Sequence, residues 1–411
     1  MKRKIMHPAV LFSLVWLIIL VLHFVFSFTL LDELFPLSIS TFIIFFIGAL
    51  AFSFGSFIQT VIVQKKKLTK PQKIYNPDIS QESISTTLRL VCLAIIIIGL
   101  PFYIIASYRL FLASNIDNFF VGLRTELVYG EADIGFIKYL LPFSFVVYAI
   151  NLYAFFKEKN LVNRILVITS LLATITYSVF VTGRTYYLII LVLYVGLDFL
   201  LNKNFSVKKI SRLIAVFLLF FILVGILYGK GGNYENSLKE NIKPAAQLTA
   251  IYLVTSLNGL EWEKTHQFRI NYDANNSLRF FIKIGEAFNL TSNTQPNDLI
   301  SSFVFVPYPT NVFTIYSPYL RDFGKFYAWF MLAIFGFVHT FFYNKAIVKK
   351  NLRYSLYFSF LLFPLLMSFF ADLYMSLFSF WIQITFFVEG FIFVNKFFVS
   401  KNDRYSNHKL E

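Results

Sequence analysis

The chain has 411 residues, of which 57% are hydrophobic, and it carries a formal net charge of +15. Its mean hydropathy is +0.65, and only 14% of its residues are charged, against roughly 25% in ordinary soluble domains, so a soluble globular protein is excluded. The basic excess of a membrane protein is mostly topological and gives little reason to expect a nucleic-acid partner. A single cysteine, Cys92, excludes an internal disulfide.

Apolar residues come in long continuous blocks, several of which exceed the roughly 20 residues that a helix needs to cross a bilayer. The first block, 8–31, has no small-residue cleavage site and is longer than a signal-peptide core, so we expect it to be retained. Continuous rather than alternating apolar runs disfavour a β-barrel. The sequence therefore predicts a single all-α, polytopic membrane domain over 1–411 with about ten spans, at 8–31, 36–63, 86–108, 136–156, 161–182, 185–201, 210–229, 325–345, 354–371 and 375–395.

Lys and Arg are distributed unevenly between the two sides of this topology. The terminal segments and the connections that follow even-numbered spans hold 24 of the 37 basic residues. On the other side, the short connections LLDELF and ADLY hold none. Because basic residues accumulate in cytoplasmic connections, both termini are predicted to be cytoplasmic. The same basic connections suit contact with anionic membrane lipid.

Two connections on the outer side are long, at 109–135 and 230–324. In the second, residues 239–257 are predicted to form one or two short amphipathic helices at the interface. Outward segments also hold six arginines that the topology rule does not require: Arg109, Arg124, Arg184, Arg269, Arg279 and Arg321. A guanidinium fork binds phosphate bidentately, so these residues favour an anionic headgroup ligand. The alternatives are ordinary lipid phosphate, pairing with nearby glutamates and, for Arg109 near a helix end, snorkelling.

Gly183 and Arg184 form a minimal turn between two apolar spans. No acidic residue lies within ten positions on either side of Arg184. A charge this close to the hydrocarbon is costly and favours a functional role, although a structural anchor is the alternative. Glycine beside it allows a ligand to approach the backbone closely, so both residues are candidates for substrate binding.

The long outer loop holds few other candidates for chemistry. His266 lies near Glu261, Glu263 and Arg269 and is a candidate base. The two glutamates are spaced to hold a divalent ion, but exposed carboxylates at this spacing are common in loops. Motifs for nucleotide binding, zinc binding and a serine nucleophile are absent from the sequence, which predicts neither a metal nor a cofactor.

A polar stretch, YPTNVFTIYSPYLRDFG, occupies 308–324, directly before the eighth predicted span. It contains the pattern Asn311-x-x-Thr314, followed by Tyr319-x-x-Asp322-x-Gly324. This stretch resembles a motif of the Wzy-type oligosaccharide repeat-unit polymerases, the membrane enzymes of O-antigen and capsule assembly. The dipeptide 183–184, at a helix junction, and the segment YLVTSLNGLEW at 252–262 also resemble segments of that family. Arg124 and Gly135 match an arginine–ten residues–glycine pattern described for some members.

The resemblance implies an all-helical, glycosyltransferase-C-like membrane fold and a position in the bacterial cytoplasmic membrane. It implies glycosyl transfer between two polyprenyl-diphosphate-linked oligosaccharides at the outer face, with a flippase and a chain-length regulator as possible partners of the pathway. Arginines neutralise a diphosphate leaving group without a metal. A hydroxyl acceptor calls for a general base.

The residues singled out above and those of the motif together give the expected site, which divides into two roles. Those expected to take part in catalysis are Arg184, Arg321, Asp322 and His266, with Glu263 as another candidate base. Asp322 has an alternative role, in pairing with Arg321 or capping the following helix. Those expected to bind substrate are Gly183, Arg124, Arg269, Arg279, Asn311, Thr314 and Tyr319.

Two other functions compete with polymerisation. An O-antigen ligase shares the topology and uses an outer-loop histidine with arginines, but the motif at 311–324 favours the polymerase. A lipid-linked oligosaccharide flippase typically has repeated halves, short loops and charges within its spans. One outer loop of about 95 residues argues against a flippase, and a non-catalytic scaffold leaves the outward arginines without a purpose.

Overall fold

The computed structural model describes residues 6–31, 34–68, 83–130, 134–202, 205–227, 238–266, 270–290 and 302–407. The chain divides into two compact units, each assembled from separate segments of the sequence. The first unit comprises Met1–Ile74, Ala246–Lys345 and Leu361–Ser379. The second comprises Tyr75–Ala245, Ala346–Phe360 and Phe380–Glu411.

Helices dominate both units. In the first half of the chain they are α1 (Pro8–Thr29), α2 (Ile39–Leu68), α3 (Thr86–Ala113), α4 (Phe119–Tyr129), a 3₁₀ helix (Gly135–Tyr139), α5 (Leu140–Lys157), α6 (Leu161–Phe180) and α7 (Thr185–Leu201). In the second half they are α8 (Val207–Leu227), α9 (Leu238–His266), α10 (Arg279–Ala287), α11 (Ser317–Lys349), α12 (Leu352–Leu366) and α13 (Phe378–Asn407). Before α11, β1 (Val304–Phe305) and β2 (Pro309–Thr310) pair antiparallel as a short hairpin.

Seven helical segments within the described residues are long and apolar enough to cross a membrane: Pro8–Thr29, Ile39–Gln64, Thr86–Ala113, Gly135–Lys157, Leu161–Phe180, Ser317–Lys349 and Phe378–Val399. The predicted sixth and ninth spans correspond to shorter apolar helices, Thr185–Leu201 and Leu352–Leu366. The predicted seventh span falls on α8, and its last residues, 228–229, lie outside the described part of the chain. The architecture is that of an all-helical polytopic membrane protein.

Helix starts in the second unit follow the local sequence. Ser85 accepts the backbone N–H of Leu88 at 3.3 Å at the start of α3. Asn160 accepts the N–H of Asn163 at 2.8 Å at the start of α6. Such caps satisfy donors that have no partner within the helix. The apolar residues that follow each cap remain helical, because a backbone surrounded by lipid must form its hydrogen bonds within its own segment.

The core of the second unit forms around α5, whose residues 144–154 are all buried. Polar side chains tie its neighbours together: the hydroxyl of Thr174 donates to the carbonyl of Ser144 at 3.1 Å. The hydroxyl of Tyr177 donates to the carbonyl of Ile96 at 2.7 Å. These bonds join α6 to α5 and to α3, so they fix how far each of these apolar helices is shifted along its neighbour.

Glycines allow α2 and α11 of the first unit to approach closely. A Cβ at Gly55 would lie 1.8 Å from the carbonyl oxygen of Ala333, and one at Gly336 would lie 1.9 Å from that of Phe52. Small residues at a helix crossing are typical of membrane proteins, where backbone contact replaces a hydrophobic driving force. This crossing fixes the membrane-spanning part of α11.

Gly324 interrupts α11. Its φ of 79° and ψ of −168° are not helical, so α11 consists of two helices that meet at a kink. The first carries Ser317, Tyr319, Arg321 and Asp322, and the second begins where the eighth span is predicted, at 325. The polar stretch before the span is therefore a separate helical turn that leads into the membrane helix.

One described part of the long outer loop, 238–266, forms a longer helix than the sequence suggested. Instead of one or two short pieces, α9 is one helix of 29 residues with Pro244 near its start. Val254, Leu257 and Leu260 on it are completely buried. Every residue from 254 to 261 is buried, so this part of α9 is enclosed on all sides within the first unit.

Candidate functional site

A pocket of about 240 Å³ opens in the first unit. Its walls come from the start of α10, the segment that leads into α11, and the connection between α12 and α13. The polar residues that line it are Asn276, Arg279, Asn311, Thr314, Ser317, Arg321, Asp372 and Ser376. Four of the residues that the sequence singled out thus share one cavity: Arg279, Asn311, Thr314 and Arg321.

Backbone pairing joins two of these walls. The N–H of Thr314 donates to the carbonyl of Phe370 at 3.2 Å, and the N–H of Ile315 donates to that of Ser368 at 2.8 Å. Thr314 has a positive φ of 62°, and its hydroxyl accepts the N–H of Tyr316 at 3.3 Å. A threonine in this conformation is uncommon and is held here by its hydrogen bonds. The motif residue Thr314 is therefore positioned beside the connection that carries Asp372.

Arg321 is oriented by a buried carboxylate. Its Nε donates to Glu263 of α9, which is only 2% exposed, and the hydroxyl of Ser317 donates to the second oxygen of Glu263 at 2.8 Å. The guanidinium carbon lies 5.4 Å from the centre of the Phe313 ring, within the range of a cation–π contact. Because Nε is engaged and the plane is fixed against an aromatic ring, the terminal nitrogens keep a constant direction at the pocket wall.

Asp322 fixes the loop before α10. One carboxylate oxygen accepts from the backbone N–H and side-chain amide of Asn276 at 3.1 and 2.7 Å. The other accepts from the backbone N–H and hydroxyl of Ser277 at 2.7 and 2.5 Å. Four donors fill the acceptor capacity of a carboxylate. Asp322 is fully buried, does not line the pocket, and takes neither of the alternative roles considered from sequence, pairing with Arg321 or capping the following helix.

The same contact positions Arg279. The backbone N–H groups of Asn271 and Tyr272 donate to the carbonyls of Arg321 and Asp322, both at 2.9 Å. These bonds and the Asp322 carboxylate fasten the loop along the first turn of α11, so α10 begins beside the pocket. Arg279 is the first residue of α10 and is half-buried in the pocket wall. Asp322 thus contributes to the pocket indirectly, by holding the loop that places Arg279 in the pocket wall.

Tyr319 is fully buried and packs its ring against Tyr327 and Phe335, with centroids 5.9 and 6.0 Å away. It does not line the pocket. Its hydroxyl approaches Asp372 without completing a hydrogen bond of ordinary geometry. Tyr319, expected from the sequence to contact substrate directly, lies behind the pocket wall.

His266 is exposed at the end of α9 and is not part of the pocket lining. Its ring stacks on Trp262 with centroids 4.9 Å apart, and its Nδ1 lies 2.8 Å from the hydroxyl of Thr265. The role of base that the sequence suggested for His266 therefore has no support from this geometry.

Glu261 and Glu263 contact different partners. Glu261 accepts the N–H and hydroxyl of Ser38 at 3.0 and 2.9 Å, and it also accepts the hydroxyl of Thr41. Glu263 accepts from Arg321 on another side of the helix. Residues two apart on a helix point in different directions, so the pair does not form a shared ion site. The described residues contain no cluster of His, Cys, Asp and Glu suited to a metal.

The remaining predicted site residues belong to the second unit or lie outside the described residues. Arg184 occupies the cap position before α7 and is only 5% exposed, so it is not a snorkelling side chain. Beside it, Thr182 has a positive φ of 57°. Arg124 is half-buried on α4 within the first predicted outer loop. Arg269 lies outside the described residues.

Four polar residues of the pocket lining were not predicted: Asn276, Ser317, Asp372 and Ser376. Asp372 lies in the connection ADLY, 371–374, between the ninth and tenth predicted spans. A lone acidic residue in a short connection between two apolar spans was the available signal. Glu263 was considered as a base, and the structure adds that it holds Arg321.

The pocket combines two guanidinium groups, two amides, three hydroxyls and a carboxylate. Arginine forks bind phosphate oxygens, and amides and hydroxyls bind sugar hydroxyls, so this combination suits an anionic ligand rich in hydroxyl groups. The short helix that carries Arg321 leads directly into a membrane-length helix, which places the pocket beside a helix end. No protein-family model, curated protein or solved structure matches the chain.

Proposed function

We propose that this chain is a glycosyltransferase that polymerises polyprenyl-diphosphate-linked oligosaccharide repeat units into a surface polysaccharide. The reaction takes place at the outer face of the bacterial cytoplasmic membrane. One observation carries the proposal: Asn311 and Thr314, two residues of the motif that resembles that of such polymerases, line one pocket together with Arg279 and Arg321. A flippase and a chain-length regulator are the expected partners in the pathway.

The two arginines take the diphosphate of the donor. A diphosphate leaves readily when its developing charge is neutralised, and arginines do this without a metal. Glu263 and Phe313 hold Arg321 in one orientation, so little reorganisation is needed when the leaving group forms. The amide of Asn311 and the hydroxyl of Thr314 supply hydrogen bonds to the sugar or to phosphate oxygens.

The pocket also supports polymerase over ligase. The ligase alternative depends on an outer-loop histidine acting together with arginines, whereas His266 is outside the lining that contains Arg279 and Arg321. The motif residues Asn311 and Thr314 are inside it. The residues that line the pocket are therefore those expected for transfer from one lipid-linked glycan to another.

Deletion of the gene tests the proposal. We expect the surface glycan to collapse to a single repeat unit on its lipid anchor, and the wild-type gene supplied on a plasmid to restore long polymer. The readout is the glycan ladder on a gel. Polymer of unchanged length, or loss of even the single unit, would reject a polymerase.

A further inference from the structure

The proposed transfer needs an acceptor for the proton of the attacking hydroxyl, and the bases suggested by the sequence do not serve. Asp322 accepts four hydrogen bonds behind the pocket. His266 is not in the lining. Glu263 is occupied by Arg321 and Ser317. The pocket lining itself contains one carboxylate, that of Asp372.

Asp372 is held rigidly but not saturated. One carboxylate oxygen accepts the N–H groups of Tyr374 and Met375 at 2.9 and 3.3 Å. The other accepts only long contacts, from the N–H and hydroxyl of Ser376 at 3.3 and 3.4 Å. Bonds of this length are weak, in contrast to the bonds of 2.5 to 3.1 Å around Asp322. The second oxygen of Asp372 therefore retains capacity for a substrate hydroxyl.

The surroundings of Asp372 also make it more basic than an ordinary aspartate. The residue is 3% exposed, and this burial raises the pKa of its carboxyl, while the N–H groups of Tyr374, Met375 and Ser376 and the nearby hydroxyl of Tyr319 oppose the shift. A general base works best when its pKa approaches the working pH. An aspartate raised by burial, and anchored by backbone donors, is suited to accept a proton.

Resting on the proposed function, we propose that Asp372 is the general base of the transfer. The acceptor hydroxyl gives its proton to the carboxylate of Asp372 while its oxygen forms a bond to the anomeric carbon of the donor glycan. The bond between that carbon and the diphosphate oxygen breaks, and its electron pair leaves with the polyprenyl diphosphate. Arg279 and Arg321 neutralise the departing charge, and Asp372 later returns its proton to water.

The test uses purified full-length protein in vesicles supplied with lipid-linked repeat units. Asp372→Asn retains an oxygen for the N–H groups of Tyr374 and Met375 but removes the basic carboxylate. We expect kcat to fall about a hundredfold to ten-thousandfold, the range of general-base catalysis, with KM little changed. Asp273→Asn is the matched control, because Asp273 is exposed and bonds only within its own turn, and it should match the wild-type rate.

A second variant separates catalysis from structure. Asp372→Glu keeps a carboxylate, so we expect partial activity and a displaced acidic limb of the pH–rate profile. The titratable groups in contact with Asp372 are the hydroxyls of Tyr319 and Tyr374, and burial raises the pKa of both well above the ordinary range, so neither contributes to that limb. Arg279 and Arg321 line the same pocket. Should Asp372→Asn fail to accumulate, wild-type activity with an unmoved limb in Asp372→Glu overturns the assignment.

Failure of this inference differs from failure of the proposed function. If Asp372→Asn polymerises at the wild-type rate while Arg321→Ala does not polymerise, Asp372 is not the base and the polymerase stands. If both variants and the vector control produce equal glycan, the polymerase itself is rejected. A matched loss of kcat and substrate binding in Asp372→Asn would also overturn the assignment, because it would indicate structural damage.

Discussion

Arg321 illustrates why the identity of a basic residue matters beyond its charge. Its Nε bonds to Glu263, its plane lies near Phe313, and its terminal nitrogens are left for the pocket. A lysine has a single ammonium group and cannot satisfy Glu263 and a phosphate in the same geometry. The function of the position therefore depends on the planar fork.

Replacing Arg321 by lysine should accordingly impair polymerisation while the protein remains inserted and abundant. Losing one charged hydrogen bond of about 1.5–3 kcal/mol slows the reaction roughly tenfold to a hundredfold. Polymer length on gels, beside protein level by immunoblot, measures the effect, and Arg184→Lys should behave in the same way. Arg109→Lys is the control, since Arg109 is exposed near the end of α3 and should be nearly silent. Wild-type polymer from both Arg321→Ala and Arg184→Ala would contradict the assignment.

At the level of single residues, the sequence indicated which residues belong to the site better than it indicated what each residue does there. Arg279, Asn311, Thr314 and Arg321 were singled out by charge and motif, and the structure gathers them in one pocket. It assigns Asp322 to the loop instead, because its hydrogen-bond partners Asn276 and Ser277 lie 46 and 45 residues earlier in the chain. A contact of that separation leaves no local pattern in the sequence.

Among the helices, the kink in α11 is the feature that determines where the site lies. Gly324 separates the short helix that carries Arg321 from the helix that enters the membrane. Its φ of 79° with ψ of −168° belongs to a region of backbone space that is essentially restricted to glycine. The glycine of the motif is thus required by backbone geometry.

Gly324→Ala should destabilise the protein by about 1–3 kcal/mol, the cost of holding a side-chain-bearing residue in such a conformation. A Cβ there would also lie 3.1 Å from Ile270, in the loop that precedes α10. We expect a lower unfolding temperature in detergent and shorter polymer. Gly390→Ala is a matched control, because a Cβ at that position of α13 has no neighbour within 4 Å. Equal stability and polymer length for both variants would show that the kink tolerates a side chain.

Hydropathy located the helices well and described the outer loop poorly. Apolar blocks give membrane-length helices because the backbone bonds within each segment, which a local pattern captures. In contrast, the 29-residue length of α9 depends on burial of Val254, Leu257 and Leu260. Packing of that kind adds stability that a window of sequence does not contain.

For the molecule as a whole, the proposed function depends on which side of the membrane the pocket faces. The uneven distribution of Lys and Arg, with 24 of 37 on one side, predicts an even number of spans and cytoplasmic termini. The start of α11 and the 371–374 connection are then both outside. Within the described residues, the seven membrane-length helices, the two shorter apolar helices and α8, on which the seventh predicted span falls, make ten, which is compatible with an even number of spans; the orientation stays a prediction.

Reporter fusions test the orientation directly. A reporter active only in the cytoplasm should be active when fused after Glu411, and one active only outside should be active when inserted in the 230–237 segment. The reason is the basic residues of the inner connections, which resist translocation. Activity of the outside reporter at residue 411 would reject the topology, and with it access of the pocket to substrates delivered to the outer face.

The buried carboxylate of Glu263 also bears on product release. Under the proposed function, each added repeat unit would leave a spent diphosphate carrier, and that product would compete with the next donor for the same arginines. Glu263 offsets the charge of Arg321 at close range, so the long-range attraction of the pair for an anion is weak even though the fork remains oriented. An uncompensated pair of guanidinium groups would hold the spent carrier and stall the enzyme. Under the proposed function, Glu263 favours turnover over tight retention.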